Sequence, residues 1–71
     1  MTRTLDWSDA EDIALLLIEQ HRGVDPLSVR FTDLHRWVCA LDQFAGDRQA
    51  SSEAKLEAIQ MAWWEEYQDS Q

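Results

Sequence analysis

Basic residues, cysteine, proline and glycine are all scarce in this chain: 71 residues hold six lysines and arginines, one cysteine, one proline and two glycines. One cysteine forms no internal disulfide. The first twelve residues, MTRTLDWSDAED, contain no apolar run that would serve as a signal peptide or a membrane span, so a soluble, cytoplasmic protein is expected. Missing too are an internal repeat, a low-complexity stretch, a phosphate-binding loop and a nucleophile with a positioned base, and a chain this short leaves little room for a substrate pocket. An enzyme is not expected. The shortage of cations matters most. Fourteen aspartates and glutamates bring the net charge to −8, which repels phosphate backbones and anionic lipid while raising association rates with positively charged surfaces. Nucleic acid and membranes are excluded as expected partners. A basic protein patch or a metal cation is favoured; the alternative is that the acid only keeps a small domain soluble.

Set against these shortages are four tryptophans, Trp7, Trp37, Trp63 and Trp64. A domain of this size buries only about 60% of the surface that its unfolded chain exposes, so each indole, with on the order of 150 to 250 Å² to bury, weighs heavily in the core. A single domain over residues 1–71 is expected.

The apolar spacing is helical. Ser8-Asp9-Ala10-Glu11 fits the capping box S-x-x-E and predicts a first helix over about 9–22, with Ala10, Ile13, Ala14, Leu17 and Ile18 facing the core and Asp12, Leu15 and Glu19 facing outward. His21 or Arg22 would place positive charge at its C-terminus, and Gly23 would take the left-handed stop position. Asp25-Pro26 reads as a cap followed by proline in a short turn or 3₁₀ segment over 25–28, and 29–31 as extended but too short to build a sheet. Thr32 is the expected N-cap of a second helix over about 33–42, with Asp33 in its first turn and Leu34, Trp37, Val38 and Leu41 as its apolar stripe. Phe31 and Phe44 should join the core. A polar loop over 45–50 leads to a third helix over about 52–67, capped by Ser51 or Ser52 and buried along Leu56, Ile59, Trp63 and Tyr67, with residues 68–71 fraying. The expected fold class is mainly α: three short helices in a winged-helix-like or helix-turn-helix arrangement with minimal or no sheet.

Candidate functional residues lie where the core does not need them. Asp12 and Glu19 flank Leu15 on the outer face of the first helix but stand roughly 10 Å apart along its axis, too far to share one ion. His35 and Cys39, at i and i+4, are spaced to share a metal in principle, although two ligands do not make a site; a small Cys39 beside Ala40 that admits another helix, with His35 as a polar rim, explains the same residues. On the third helix Glu53, Glu57, Gln60 and Trp64 form a second stripe ending in an indole, the kind of residue that anchors interfaces. We expect a monomer, although Leu15 and Trp64 leave a contact between copies open.

Several stretches together resemble the IscX family, small acidic accessory proteins of iron–sulphur cluster assembly. They are Trp7 with the capped acidic helix start, Asp25-Pro26, VRFTDLHRWV with Cys39, Leu41 and Phe44 after it, Gln49-Ala50-Ser51, Leu56-Glu57-Ala58-Ile59, and Trp63 before Glu65 and Glu66. The resemblance covers nearly the whole chain. It implies a winged-helix-like fold, binding to the cysteine desulfurase IscS, weak ferrous iron binding through surface carboxylates with no tightly bound cofactor, and regulation of cluster assembly in competition with frataxin. Where relatives carry a denser acidic run after the second helix and a proline before Gln-Ala-Ser, this chain has Ala40, Gln43, Ala45, Gly46 and Arg48; Leu15 and Gly23 also replace acids. Iron capacity should be reduced accordingly. The expected partner-binding residues are Asp12, Glu19, Asp33, His35, Arg36, Asp42, Glu53, Glu57 and Trp64, and the weak metal ligands would be drawn from Asp12, Glu19, Asp33 and Asp42. The alternative is an acidic module that mimics nucleic acid and binds some other basic protein.

Overall fold

Three α-helices carry the structure, a computed structural model that describes residues 4–69: α1 (Ala10–Gln20), α2 (Phe31–Cys39) and α3 (Glu53–Asp69). Two single turns of 3₁₀ helix, Pro26–Ser28 and Arg48–Ala50, punctuate the connections. Among the described residues the only β-type pairing is an isolated parallel bridge between Leu5 and Phe44, so the fold is mainly α as expected. The helix ends expected at residues 9–22, 33–42 and 52–67 shift by one to three positions.

The expected capping box at Ser8 and Glu11 does not form. The same device appears two residues earlier: the Asp6 carboxylate accepts from the Ser8 backbone N–H at 2.9 Å, and the Asp9 carboxylate accepts from the Asp6 N–H at 3.0 Å. The Ser8 hydroxyl also donates to Asp6. A capped turn at 6–9 thus precedes α1, and Asp9 becomes the N-cap position without a side-chain cap of its own. The turn is set by Trp7, which is buried in the core while its neighbours are not. At the other end α1 stops at Gln20, with the His21 N–H closing on the Leu17 carbonyl, and Gly23 adopts the left-handed conformation (φ 82°) expected of it.

Asp25 and Pro26 form the 3₁₀ turn as expected, the Asp25 carboxylate accepting from the Leu27 N–H at 3.0 Å. Helix α2 then begins at Phe31, so Thr32 is not its cap; it lies exposed inside the first turn, and the first helical bond is Leu34 N–H to the Arg30 carbonyl at 2.8 Å. Starting earlier places Phe31 and Leu34 three residues apart on one helical face, where Leu34 is fully buried and Phe31 packs against the core. Burying a large apolar side chain contributes about 1.5–3 kcal/mol against roughly 1 kcal/mol for a cap, so packing sets the boundary. The helix closes at Cys39, and Leu41 is buried just beyond it. The serine cap of α3 is Ser52, whose hydroxyl accepts from the Lys55 N–H at 3.3 Å. That helix continues to Asp69, past the expected end.

The core is one cluster, built from Ile13, Ala14 and Leu17 of α1, Leu34 and Val38 of α2, and Leu56, Ile59 and Trp63 of α3, closed by Leu5, Trp7, Val29 and Leu41. Helix α1 lies along α3, which also receives the first 3₁₀ turn, and α2 packs against both helices. The expected buried stripe of α3 holds for Leu56, Ile59 and Trp63, while Tyr67 is only half-buried. We expect Leu34→Ala to lower the unfolding free energy by about 2–5 kcal/mol and Ser52→Ala to lower it by about 1 kcal/mol. Thr32→Ala should stay within about 0.5 kcal/mol of the parent. Urea unfolding monitored by tryptophan fluorescence measures all three.

Candidate functional site

The fourteen acids divide by location. Asp6, Asp9, Asp25 and Asp47 are spent on turns: each carboxylate accepts from a nearby backbone N–H, the last from Gln49 at 2.9 Å. Asp6 is held below the usual carboxylate range by its hydrogen bonds from Ser8. Asp33 makes an ion pair with Arg36 one turn along α2, at 3.0 Å. Arg36 is largely exposed and Asp33 partly so, so the pair stabilises the fold little, and it neutralises two of the residues expected to meet a partner. Asp12 is half-buried and engaged. Glu19, Asp42, Glu53 and Glu57 are exposed and make no hydrogen bond or ion pair among the described residues, which leaves their charge directed at solvent. The four residues expected to ligate iron, Asp12, Glu19, Asp33 and Asp42, are not gathered: among the described residues no three of His, Cys, Asp and Glu come together as an ion would require.

His35 has a different environment from the one its spacing suggests. Its ring stacks on Trp7 with centroids 5.3 Å apart, and its Nε2 lies 2.7 Å from the Arg48 carbonyl oxygen. A carbonyl only accepts, so Nε2 carries the proton and donates. Cys39 Sγ is 4.0 Å from that same nitrogen, which therefore has no lone pair to take a thiol proton or to bind a metal beside the sulphur. The i, i+4 pair is neither a nucleophile with its base nor half of a metal site. Instead His35 and Trp7 act together. Trp7 Nε1 donates to the Asp47 carbonyl at 2.6 Å, so two ring N–H groups grip successive carbonyls, 47 and 48, of the segment leading into α3. Phe44 packs edge-on against Trp7 at 4.8 Å, and Gly46 leaves space for it: a Cβ there would come within 2.7 Å of the Phe44 ring. The Leu5–Phe44 bridge, closed by Leu5 N–H to the Gln43 carbonyl and Ala45 N–H to the Leu5 carbonyl, both 2.8 Å, completes the clasp. Trp7 and Asp47 are forty residues apart in sequence, and no local pattern announces their contact.

The stripe Glu53, Glu57, Gln60, Trp64 is likewise split. The Gln60 amide donates to the Pro26 carbonyl at 3.0 Å and holds the first 3₁₀ turn against α3. Trp64 is half-buried beside it, and Glu53 and Glu57 stand in solvent. The large apolar side chains most exposed are Leu15, Leu27 and Met61.

His21 was one of two residues, with Arg22, expected to supply charge at the end of α1. It stacks face to face on Trp37, with ring centroids 4.0 Å apart and 10° between planes, and lies 6.3 Å from Trp63. Burial against these rings pushes its pKa below the usual imidazole value near 6.5, so at neutral pH it is an aromatic cover and not a cation.

The geometry defines a class: a small helical domain with an apolar core, whose partly buried polar side chains are used in folding and whose remaining chemistry is surface charge. The family model for iron–sulphur cluster assembly matches residues 5–68, and the chain belongs to that family, the small IscX-type cluster assembly proteins. It is 51% identical over 63 residues to an uncharacterised protein of Pseudomonas aeruginosa, a match that covers 89% of this chain and 96% of the relative. A role in iron–sulphur cluster assembly and contact with the assembly machinery follow from the family. No helix among the described residues is long and apolar enough to cross a membrane.

The His21 shift fixes the sign of a pH dependence. Above about pH 6.5 the ring is neutral in both folded and unfolded chains; as pH falls, the unfolded chain takes up the proton first, so stability drops until the lower folded pKa is passed. Urea midpoints should fall on moving from pH 7 towards pH 5, and His21→Phe should flatten that part of the profile while Asp6, whose carboxyl is held low by Ser8, still contributes a fall at lower pH.

Proposed function

We propose that this protein is a regulatory adaptor of iron–sulphur cluster assembly that docks on the cysteine desulfurase IscS through its acidic surface, in competition with frataxin, and holds ferrous ion only weakly. The observation that carries this reading is the presence of exposed carboxylates without hydrogen-bond or ion-pair partners among the described residues, Glu19, Asp42, Glu53 and Glu57, on a chain of net charge −8. Carboxylates paired within the fold lend little to a partner. These four contribute to a field that steers a basic surface into contact, and such a field acts more on the rate of encounter than on the lifetime of the complex. The family match supports the setting, and the resemblance supplies the desulfurase as the basic partner.

Iron enters as a mobile, loosely held ion. Ferrous ion accepts carboxylate oxygen, but a tight site needs several ligands converging on one point, and the acids of this surface are spread out.

Mixed with purified desulfurase at low ionic strength, the protein should co-elute in gel filtration, lose the complex as salt rises, and be displaced by frataxin. Absence of a complex at low salt would refute the reading, and capture of nucleic-acid-binding proteins in its place would favour a nucleic-acid mimic. Glu53→Gln with Glu57→Gln should slow association several-fold at low salt and leave dissociation nearly unchanged, as followed by stopped-flow fluorescence. Anaerobic titration with ferrous ion should show binding weaker than micromolar; a tight one-to-one site would overturn the diffuse picture.

A further inference from the structure

A helix on the surface of a small domain buries one apolar stripe and turns a polar face to water. Helix α3 departs from this. Its inner stripe, Leu56, Ile59 and Trp63, is buried in the core, yet Ala54, Ala58 and Met61 stand exposed on the outer side, with Trp64 half-buried at their border. Met61, at 43% exposure, is one of the three large apolar side chains that the fold leaves most open, and a second, Leu27 at 53%, lies next to the same face. The connection from α1 to α2 puts it there. Gly23 shares a groove with Tyr67, the Pro26 and Val29 carbonyls receive the Gln60 amide at 3.0 and 3.5 Å, and Phe31 shares a recess with Leu56, so residues 23–31 run antiparallel along α3. At about 100° per residue, the order outward from that seam is Gln60, Trp64, Met61. Leu27 therefore borders a face that carries Trp64, Met61 and the two small alanines.

The charge around this face has one sign. Glu57 and Glu65 stand one turn before and one turn after Met61, and Glu53 continues the row; all three are exposed and make no hydrogen bond or ion pair among the described residues. Lys55, the one cation of α3, lies about 120° round the axis from Met61, where it lines a recess with Asp6 and Ser8 ahead of α1. The 3₁₀ turn and its cap add Asp25 and no cation, and Arg30 comes only at the start of α2. We infer that the outer face of α3, with Leu27 at its edge, docks a partner protein through an apolar patch rimmed by lysine or arginine. The inference rests on the reading that the partner is basic, and adds the surface on which the complex is held. Exposed carboxylates speed encounter; removing Met61, Leu27 and the free side of Trp64 from water then slows separation, since tryptophan and methionine are enriched in interfaces and charge belongs at the rim. Ala54 and Ala58 let the partner's backbone approach closely. A second copy of this chain is the poorer occupant: it would set Glu53, Glu57 and Glu65 against their own counterparts, on chains that each carry −8.

Met61→Ser with Leu27→Ser removes apolar surface at constant charge from two exposed positions, and Leu15→Ser, at the third such position, on α1, is the control. In stopped-flow fluorescence with purified desulfurase, the double variant should dissociate roughly fivefold faster and associate within about twofold of the parent, while Leu15→Ser should change neither rate by more than about twofold. A second arm uses no desulfurase. A blocked amphipathic helical peptide of leucine and lysine, titrated into the full chain at low salt, should shift backbone amides centred on Leu27, Ala58, Met61 and Trp64. Its analogue with alanine in place of every leucine should bind roughly fivefold more weakly, as should the leucine peptide to the double variant. No loss from the double variant, an equal loss from Leu15→Ser, equal binding of the two peptides, or shifts centred on another face would each overturn the proposal. So would a dimer of the free chain in sedimentation that the double variant dissolves. Failure of the desulfurase to bind the parent would refute the adaptor reading alone, and the peptide arm would still decide whether this face docks a basic, apolar surface.

Discussion

Everything in this fold leans on the burial of Trp63. It is fully enclosed, with Trp37 edge-on at 6.2 Å and His21 lying over Trp37, so side chains of α2, α3 and the segment after α1 meet around one indole. Its ring N–H is buried without a hydrogen-bond partner among the described residues, a cost of about 1–3 kcal/mol. Removing some 150–250 Å² of indole from water contributes about 4–6 kcal/mol, so burial prevails. In a chain of this length few other side chains could do as much, which is why the aromatic rings are stacked on one another and a histidine is given up to cover them.

The same shortage of core explains the clasp at the opposite side. Residues 45–50 have almost no apolar surface to bury, and the carbonyls of Asp47 and Arg48 are instead held by the ring N–H groups of Trp7 and His35. His35, the residue whose spacing to Cys39 most suggested chemistry, is thereby committed to structure. The carboxylates tell a parallel story: Asp6, Asp9, Asp25 and Asp47 are used in local turns and Asp33 by Arg36, while Glu19, Asp42, Glu53 and Glu57 make no such contact among the described residues. The chemistry that folding leaves uncommitted is surface charge.

Much of the fold was legible in the residues. Helical spacing located the buried faces of α1 and α3 and the Leu34–Val38 face of α2; Gly23, Asp25-Pro26 and Ser52 marked real turns and a real cap; and the motif around VRFTDLHRWV was enough to point to the family. These signals are local, acting within four residues, so no knowledge of the rest of the chain is needed to interpret them. The helix starts were less legible. Ser8 and Thr32 looked like caps, but the burial of Trp7 and of Phe31 with Leu34 outweighed the small energy of a capping bond and moved both boundaries.

What the sequence by itself determined is the number of helices, the faces they bury, the sign of the charge and the family. Only the tertiary structure decided which polar residues were free to act, because that depends on contacts between residues far apart in the chain: Trp7 with Asp47, His35 with Arg48, Gln60 with Pro26, His21 with Trp37. It also placed Glu19 of α1 and Glu66 and Asp69 of α3 in the lining of one open groove. Periodicity along a helix fixes which way a side chain faces, but not what it meets there, and in a domain with so little interior that meeting decides whether a polar group holds the fold or faces a partner.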